Sequence, residues 1–227
     1  MTSEKPRVLV CDDEQQILRA LRVILRDAGY EAVPASNADE ALDRAAVQRP
    51  DAAIIDLVLP DLDGVELCRR LREWSDMPVI VLSAVGDEDA KVRALAAGAD
   101  DYVTKPFGPR ELIARLQATL RRIDPGPEEV VISTDGLEVD LARRTVRREG
   151  EEVHLTPTEF DLLRLLARNR GRLMTHRDLL AAVWGAGYAD DTQVLRAHIA
   201  NLRRKIEPPG GPRYIRTDPG VGYRFAG

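Results

Sequence analysis

The sequence predicts an α/β fold with a doubly wound, five-stranded parallel sheet, followed by a smaller α+β domain. Three observations lead there. Four apolar runs each stop on a polar group: Val8-Leu9-Val10-Cys11 before Asp12 and Asp13, Ala52-Ala53-Ile54-Ile55 before Asp56, Val79-Ile80-Val81-Leu82 before Ser83, and Tyr102-Val103-Thr104 before Lys105-Pro106. Short apolar runs bounded by turn signals read as buried parallel strands. Amphipathic segments separate them, and after 123–128 the order changes to short strands, then helices, then a hairpin.

In the first domain Ile17, Leu21, Ile24, Leu25 and Ala28 mark one helix face, ended by Gly29. Comparable helices are expected near Ala38 to Gln48, Gly64 to Trp74, Asp87 to Ala97 and Pro109 to Arg121, giving five βα units. Two prolines and a glycine in Ile123-Asp124-Pro125-Gly126-Pro127-Glu128 make a short, stiff linker. The expected division is therefore 1–122, a linker at 123–128, and 129–227.

Beyond it, Val130 to Ser133, Leu137 to Asp140, Thr145 to Arg148 and Glu152 to Leu155 read as a small antiparallel sheet, with Glu149-Gly150 as a turn. Thr156-Pro157-Thr158-Glu159 is a capping box with proline at the first helical position, and Thr175 with Asp178 repeats its spacing. Phe160, Leu163, Leu166 and Ala167, then Leu179, Leu180, Val183 and Trp184, face a core. A loop over Gly185 to Asp190 leads into a third helix, about Thr192 to Glu207.

Ligands of open α/β sheets bind beyond the carboxyl ends of the strands. If Asp12, Asp13 and Asp56 converge there, each pair about 4 Å apart repels by roughly 1 kcal/mol in water and about 4 kcal/mol at an effective dielectric of ~20. Such a cluster calls for a cation, and an oxygen-only site open to water suits Mg²⁺ better than zinc. Lys105 can neutralise a phosphoryl oxygen, the Ser83 hydroxyl can donate to another, and Ala84 leaves room for both. Asp56 is the nucleophile in this reading.

These residues resemble the receiver domain of two-component response regulators over about residues 5 to 122. The resemblance implies a flavodoxin-like fold, Asp56 as phosphoacceptor, and Asp13, Asp56 and the Val58 carbonyl as Mg²⁺ ligands, with Asp12 acting mainly through water. It makes Ser83 and Lys105 the phosphoryl-binding pair, Tyr102 the aromatic switch, and Lys105-Pro106 a cis peptide. It further implies a dimer face on the fourth and fifth helices, pairing Lys91 with Glu111 and Asp101 with Arg115 around Val92, Leu95 and Ala114. A phosphatase of the haloacid dehalogenase type is the alternative, since it also combines an Asp nucleophile, Mg²⁺, Ser or Thr and Lys. That family places its nucleophile in an Asp-x-Asp signature on the first strand, where this chain has adjacent Asp12-Asp13.

Charge is informative locally. Residues 1–122 hold 17 basic and 22 acidic residues, a net of −5, while 123–227 hold 16 of each. Within 191–227, however, seven basic residues face three acidic ones, a net of +4. On the third helix Leu195, Ile199, Leu202 and Ile206 form one stripe, which is the buried side. Gln193, Arg196, Ala197, Ala200 and Arg204 lie opposite, flanked by Asn201 and Arg203. Arginine can read guanine, Gln or Asn adenine, and alanine a thymine methyl in a major groove.

Helix, loop, helix and the hairpin Arg213-Tyr214-Ile215-Arg216-Thr217, turning at Pro219-Gly220 into Gly222-Tyr223-Arg224-Phe225, resemble the winged helix-turn-helix effector of the OmpR/PhoB family over about residues 129 to 227. Leu155 to Phe160, Leu202 to Ile206 and Gly220 to Phe225 carry the match. The resemblance implies a third helix in the major groove, a wing that includes Arg216 and Tyr223 on the minor groove or backbone, and a loop at Gly185 to Asp190 for RNA polymerase. Pro219 stands where many relatives carry arginine and offers neither charge nor N–H, which leaves Arg216 or Arg213 as the phosphate contact. Asp190 to Arg196 and Arg213 to Tyr223 resemble more finely the Kdp branch, tied to a sensor histidine kinase and potassium transport.

No apolar run approaches the ~20 residues needed to span a bilayer, and the polar start Met1 to Pro6 is no signal peptide, so a cytoplasmic location is expected. Cys11 and Cys68 have neither pairing nor metal-ligand spacing and read as buried thiols with no disulfide. Together the two resemblances imply a transcription regulator rather than an enzyme, receiving a phosphoryl group from a kinase and binding promoter DNA as a dimer.

Overall fold

The computed structural model describes residues 5–84, 88–121, 131–188 and 191–226. The linker expected at 123–128, together with Val130, Asp87 and Asp190, lies outside the described residues. Contacts divide the chain into two compact units that meet in sequence between Leu120 and Arg121.

The first unit alternates β1 (Arg7–Cys11), α1 (Gln15–Asp27), β2 (Glu31–Ala35), α2 (Ala38–Gln48), β3 (Ala52–Asp56), α3 (Gly64–Arg72), β4 (Val79–Ala84), α4 (Glu88–Ala96), β5 (Asp101–Lys105) and α5 (Pro109–Arg121). All five strands are parallel, in the order β2-β1-β3-β4-β5. Every residue of β3 is buried, as expected of a strand covered on both faces. Val8, Val10, Ile54, Ile80, Leu82 and Val103 join Leu18, Leu21, Leu25, Leu112 and Leu116 of α1 and α5 in one core. Alternate residues such as Leu9, Ala53 and Val81 point to the opposite face, and they too are buried.

The strand β2 carries no clear apolar run, because Pro34 and the exposed Glu31 interrupt it. It is an edge strand, where a proline that donates no hydrogen bond is tolerated. Its pairing with β1 is a tertiary choice that periodicity did not reveal.

The second unit opens with an antiparallel sheet, β6 (Val131–Thr134), β7 (Leu137–Asp140), β8 (Thr145–Arg148) and β9 (Glu151–Glu152). The last strand is shorter than the expected Glu152 to Leu155. Val153 still donates to the Val146 carbonyl, after which the chain departs for the next helix cap. There Thr156 and Glu159 form the capping box of α6 (Pro157–Arg168), and Thr175 caps α7 (His176–Val183) through the Asp178 N–H. After a short 3₁₀ turn at Ala186–Tyr188 comes α8 (Thr192–Ile206).

A second sheet, β10 (Leu173–Thr175), β11 (Ile215–Asp218) and β12 (Gly222–Phe225), runs in the order β10-β12-β11. The sequence indicates only the terminal hairpin, since β10 is three residues between two helices, one exposed and two half-buried. Gly222 is required at its crossing, because a side chain there would overlap the Met174 carbonyl oxygen.

Candidate functional site

Because β1 and β3 are adjacent parallel strands, Asp12 and Asp13 after Cys11 emerge at the same sheet edge as Asp56. One carboxylate oxygen from each of the three lies within 4.8 Å of the others. Asp12 is fully buried, Asp56 is 7 % exposed, and Asp13 faces solvent. From the end of β5, Lys105 places its ammonium 2.8 Å from Asp12 Oδ2 and 2.9 Å from Asp56 Oδ2. Burial pushes the Asp56 carboxyl above its ordinary pKa, against the opposing pull of the Lys105 hydrogen bond and charge. Burial would depress Lys105, but its hydrogen bonds to Asp12 and Asp56 prevail and hold the ammonium above its ordinary value.

Ser83, at the end of β4 between these strands, is 1 % exposed, and its hydroxyl has no hydrogen-bond partner among the described residues. A buried polar group left unpaired costs about 1–3 kcal/mol. Such a group persists where a ligand oxygen completes it. Three carboxylates and an ammonium thus gather at the sheet edge, with the Ser83 hydroxyl at the end of the strand between β3 and β5, a donor set that fits a hard cation beside a phosphoryl group.

The loop after Asp56 contains Val58, which is 74 % exposed. Two residues not assigned a role by sequence hold this loop. Asp61 accepts from the backbone N–H groups of Ala38 and Asp39, both at 3.0 Å, capping α2 from outside. The Gly64 N–H donates to the Leu57 carbonyl at 2.9 Å, and a Cβ at Gly64 would lie 2.7 Å from Leu57 Cα and overlap the Asp56 carbonyl oxygen. The only sequence signal was Asp63-Gly64, which marks a helix start; that α2 is the loop's partner cannot be seen locally.

On the side formed by α4, β5 and α5, Tyr102 is half-buried beneath Lys91, whose ammonium is 4.8 Å from the ring centroid. The pairs expected across two copies are partly engaged within one. Arg115 binds Asp101 at 3.2 Å and Glu111 at 3.0 Å, and Lys91 binds Glu88 at 2.8 Å. Leu95 corrects the expectation, since at 1 % exposure it is buried within its own unit. Of the three apolar residues expected there, Val92, at 44 % exposure, and Ala114 are exposed. The Lys105-Pro106 peptide is cis. Cys11 and Cys68 are free buried thiols, each pushed up to about 12, chiefly by burial.

In the second unit Leu195, Ile199, Leu202 and Ile206 are buried, and Gln193, Arg196, Ala200 and Arg204 are exposed on α8, with Ala197 between. The buried side is wider than the stripe, also taking Val194, His198 and Asn201. Asn201, placed at the flank of the exposed face, is in fact 3 % exposed, and its Oδ1 accepts from Arg204 at 3.1 Å. Arg203 also departs from that face, donating to the Ile215 carbonyl and Thr217 Oγ1, both at 2.8 Å. Tyr223 is 5 % exposed and stands between Arg203 and His176. Arg216 is exposed, paired across the hairpin with Arg224. Among the described residues, no helix is long and apolar enough to cross a membrane.

Comparison with known proteins agrees with both units. Residues 8–117 match the response regulator receiver domain, and residues 150–225 match the C-terminal domain of transcriptional regulatory proteins. The chain is 52 % identical over 221 residues to the transcriptional regulatory protein KdpE of Mycobacterium tuberculosis, covering 96 % of this chain and 98 % of the relative. It is 48 % identical over the same shares to the KDP operon transcriptional regulatory protein KdpE of Escherichia coli K12. Among solved structures, the Thermotoga maritima response regulator DrrB, an OmpR/PhoB homologue, aligns with a TM-score of 0.53 at 33 % identity over 99 % of this chain and 100 % of that one. A mutant of RitR aligns with a TM-score of 0.81 at 26 % identity over 98 % of this chain and 99 % of that one.

Proposed function

Since this chain belongs to the OmpR/PhoB family of two-component response regulators, a family of DNA-binding transcription regulators, we propose that Asp56 is its phosphoacceptor and α8 its DNA-reading helix. The observation that carries the first assignment is the Lys105 ammonium that bridges Asp12 and Asp56, together with the buried Ser83 hydroxyl, which has no hydrogen-bond partner among the described residues. An Asp56 oxygen attacks the phosphorus of a sensor kinase's phosphohistidine. The P–N bond breaks, and its electron pair stays on the imidazole nitrogen. Lys105 then turns from the carboxylates to one phosphoryl oxygen, and Ser83 donates to another.

Asp13, Asp56 and the Val58 carbonyl would hold Mg²⁺ directly and Asp12 through water, with boundaries of 1–122, 123–128 and 129–227 for the receiver, linker and effector. When bound, Mg²⁺ supplies positive charge that offsets carboxylate repulsion as the phosphoryl group approaches. With no free metabolite turned over, the chain acts as a regulator rather than an enzyme. The phosphatase alternative is set aside: the relatives are transcriptional regulators, and Asp56 ends the third strand of the order β2-β1-β3-β4-β5.

Phosphorylation shifts Tyr102 and drives pairing through a two-fold dimer face bearing Val92 and Ala114, where Arg115, Asp101, Glu111 and Lys91 exchange partners between copies. Gln193, Arg196, Ala197, Ala200 and Arg204 meet bases of promoter DNA, Arg216 meets a phosphate, and the loop from Gly185 meets RNA polymerase. The likeness to the two KdpE proteins extends the proposal to a kdp-type potassium-transport operon in the cytoplasm of its cell. Two experiments test this. Acetyl phosphate with Mg²⁺ should label the wild type and not Asp56→Asn, and persistent labelling of the variant overturns the assignment. Genome-wide footprinting with and without beryllofluoride should place the protein upstream of potassium-uptake genes, and occupancy elsewhere removes the kdp proposal.

A further inference from the structure

We infer that Arg203 is a positioning residue that fixes the terminal hairpin against α8, and so sets where Arg216 meets DNA. The inference rests on the proposed phosphate contact of Arg216. Among the described residues, the strand β11 is the edge of its sheet, pairing only with β12. The backbone groups on its free edge need partners. The end of α8 supplies those of Ile215. The Arg203 guanidinium donates to the Ile215 carbonyl and to Thr217 Oγ1, both at 2.8 Å, and lies 5.7 Å from the Tyr223 ring centroid. Glu207, directly after α8, accepts from the Ile215 N–H at 2.8 Å through Oε1 and from Arg213 at 3.1 Å through Oε2.

Both backbone groups of Ile215 are therefore gripped by side chains one helical turn apart. Arg216 is the next residue. Its side chain alternates to the opposite face of the sheet from Ile215 and is exposed. The distance from the reading face of α8 to this exposed arginine is thus set by the clasp rather than by the turn at Pro219-Gly220. Both bonds leave one guanidinium nitrogen, Nη2, whose N–H directions are fixed in the plane of the group, whereas a lysine ammonium is a point charge on a flexible stem.

The test combines a double-mutant cycle with hydrogen exchange, using the full chain and a labelled duplex recovered by the wild type from a random-sequence pool. Arg216→Ala should weaken binding about tenfold in the wild type but less than about twofold in an Arg203→Ala background, because a hairpin already out of place has little left to lose. Without DNA, Arg203→Ala should speed amide exchange across Ile215 to Asp218 while α6 and α7 stay protected. Arg203→Lys should restore part of both effects. Thr217→Val, at an exposed position, removes one acceptor without threatening the fold and should reproduce part of the exchange change.

Equal tenfold losses in both backgrounds would overturn the inference. So would unchanged exchange with a salt slope reduced by about one, the signature of a direct phosphate contact by Arg203. If Arg216→Ala is harmless in the wild type, the proposed wing contact fails, and the exchange measurement alone decides whether the clasp exists.

Discussion

Replacing Lys105 with methionine should destabilise the metal-free receiver and make its stability depend on Mg²⁺. The ammonium makes charge-assisted bonds of 2.8 and 2.9 Å to two carboxylates whose side chains are 0 % and 10 % exposed. Such bonds contribute about 1.5–3 kcal/mol each. With the lysine side chain 21 % exposed, screening reduces the joint effect to about 2–4 kcal/mol. For a domain of this size a loss of about 3 kcal/mol lowers Tm by about 10 °C.

The assay is calorimetry of the full chain in EDTA and again in excess Mg²⁺, where the cation replaces the missing ammonium and most of the deficit should vanish. Lys105 is held above its ordinary 10.5, so its stabilisation is complete below that pH and fades as pH rises through the folded value. Wild type and variant should therefore converge in strong alkali. Asp56 is raised above 3.8, so its protonated form favours the folded state and stability is lost as pH rises through its folded pKa. The variant should accordingly recover stability on acidification. A Tm within about 2 °C of wild type in EDTA would refute the claim that this ammonium holds the two acids together.

Asp13→Ala should weaken Mg²⁺ binding strongly by isothermal titration, and unchanged affinity would place the metal elsewhere. Ser83→Ala removes a hydroxyl with no partner among the described residues, so urea unfolding should show no loss, or a gain of about 1 kcal/mol, while acyl-phosphate yield on phosphate-affinity gels falls; an unchanged yield argues against a phosphoryl contact. Beryllofluoride-treated protein should sediment as a dimer, and Val92→Glu or Ala114→Glu should return it to monomer. Arg115→Glu is a poorer probe, because it places an acid beside Asp101, which is 1 % exposed. Replacing whichever of Arg196 and Arg204 pairs with a guanine should cost about 1–3 kcal/mol and relax preference at one base pair. Unchanged preference on operators bearing single substitutions, for both alanine variants, would show that α8 does not read bases.

The sequence alone determined the elements that rest on local physics. Apolar runs that end on Asp12, Asp56, Ser83 and Lys105 marked four strands with their reactive ends; β1, β3 and β4 lie inside the sheet, and a strand buried on both faces needs a continuous apolar run whatever its neighbours are. Thr156 and Glu159 announced the start of α6, since a capping box closes within four residues. The stripe from Leu195 to Ile206 oriented α8 by helical period alone. Tertiary structure decided everything that needs a distant partner. Pro34 could sit in a strand only because β2 lies at an edge, and the three residues of β10 became a strand only because β12 offered them a ladder. Leu95 and Asn201 went inside because helical period gives a direction, while burial depends on what packs there. Arg203 looked like one more basic side chain beside a groove. Only the fold, by bringing the unpaired edge of β11 alongside the end of α8, provided the two acceptors that engage it.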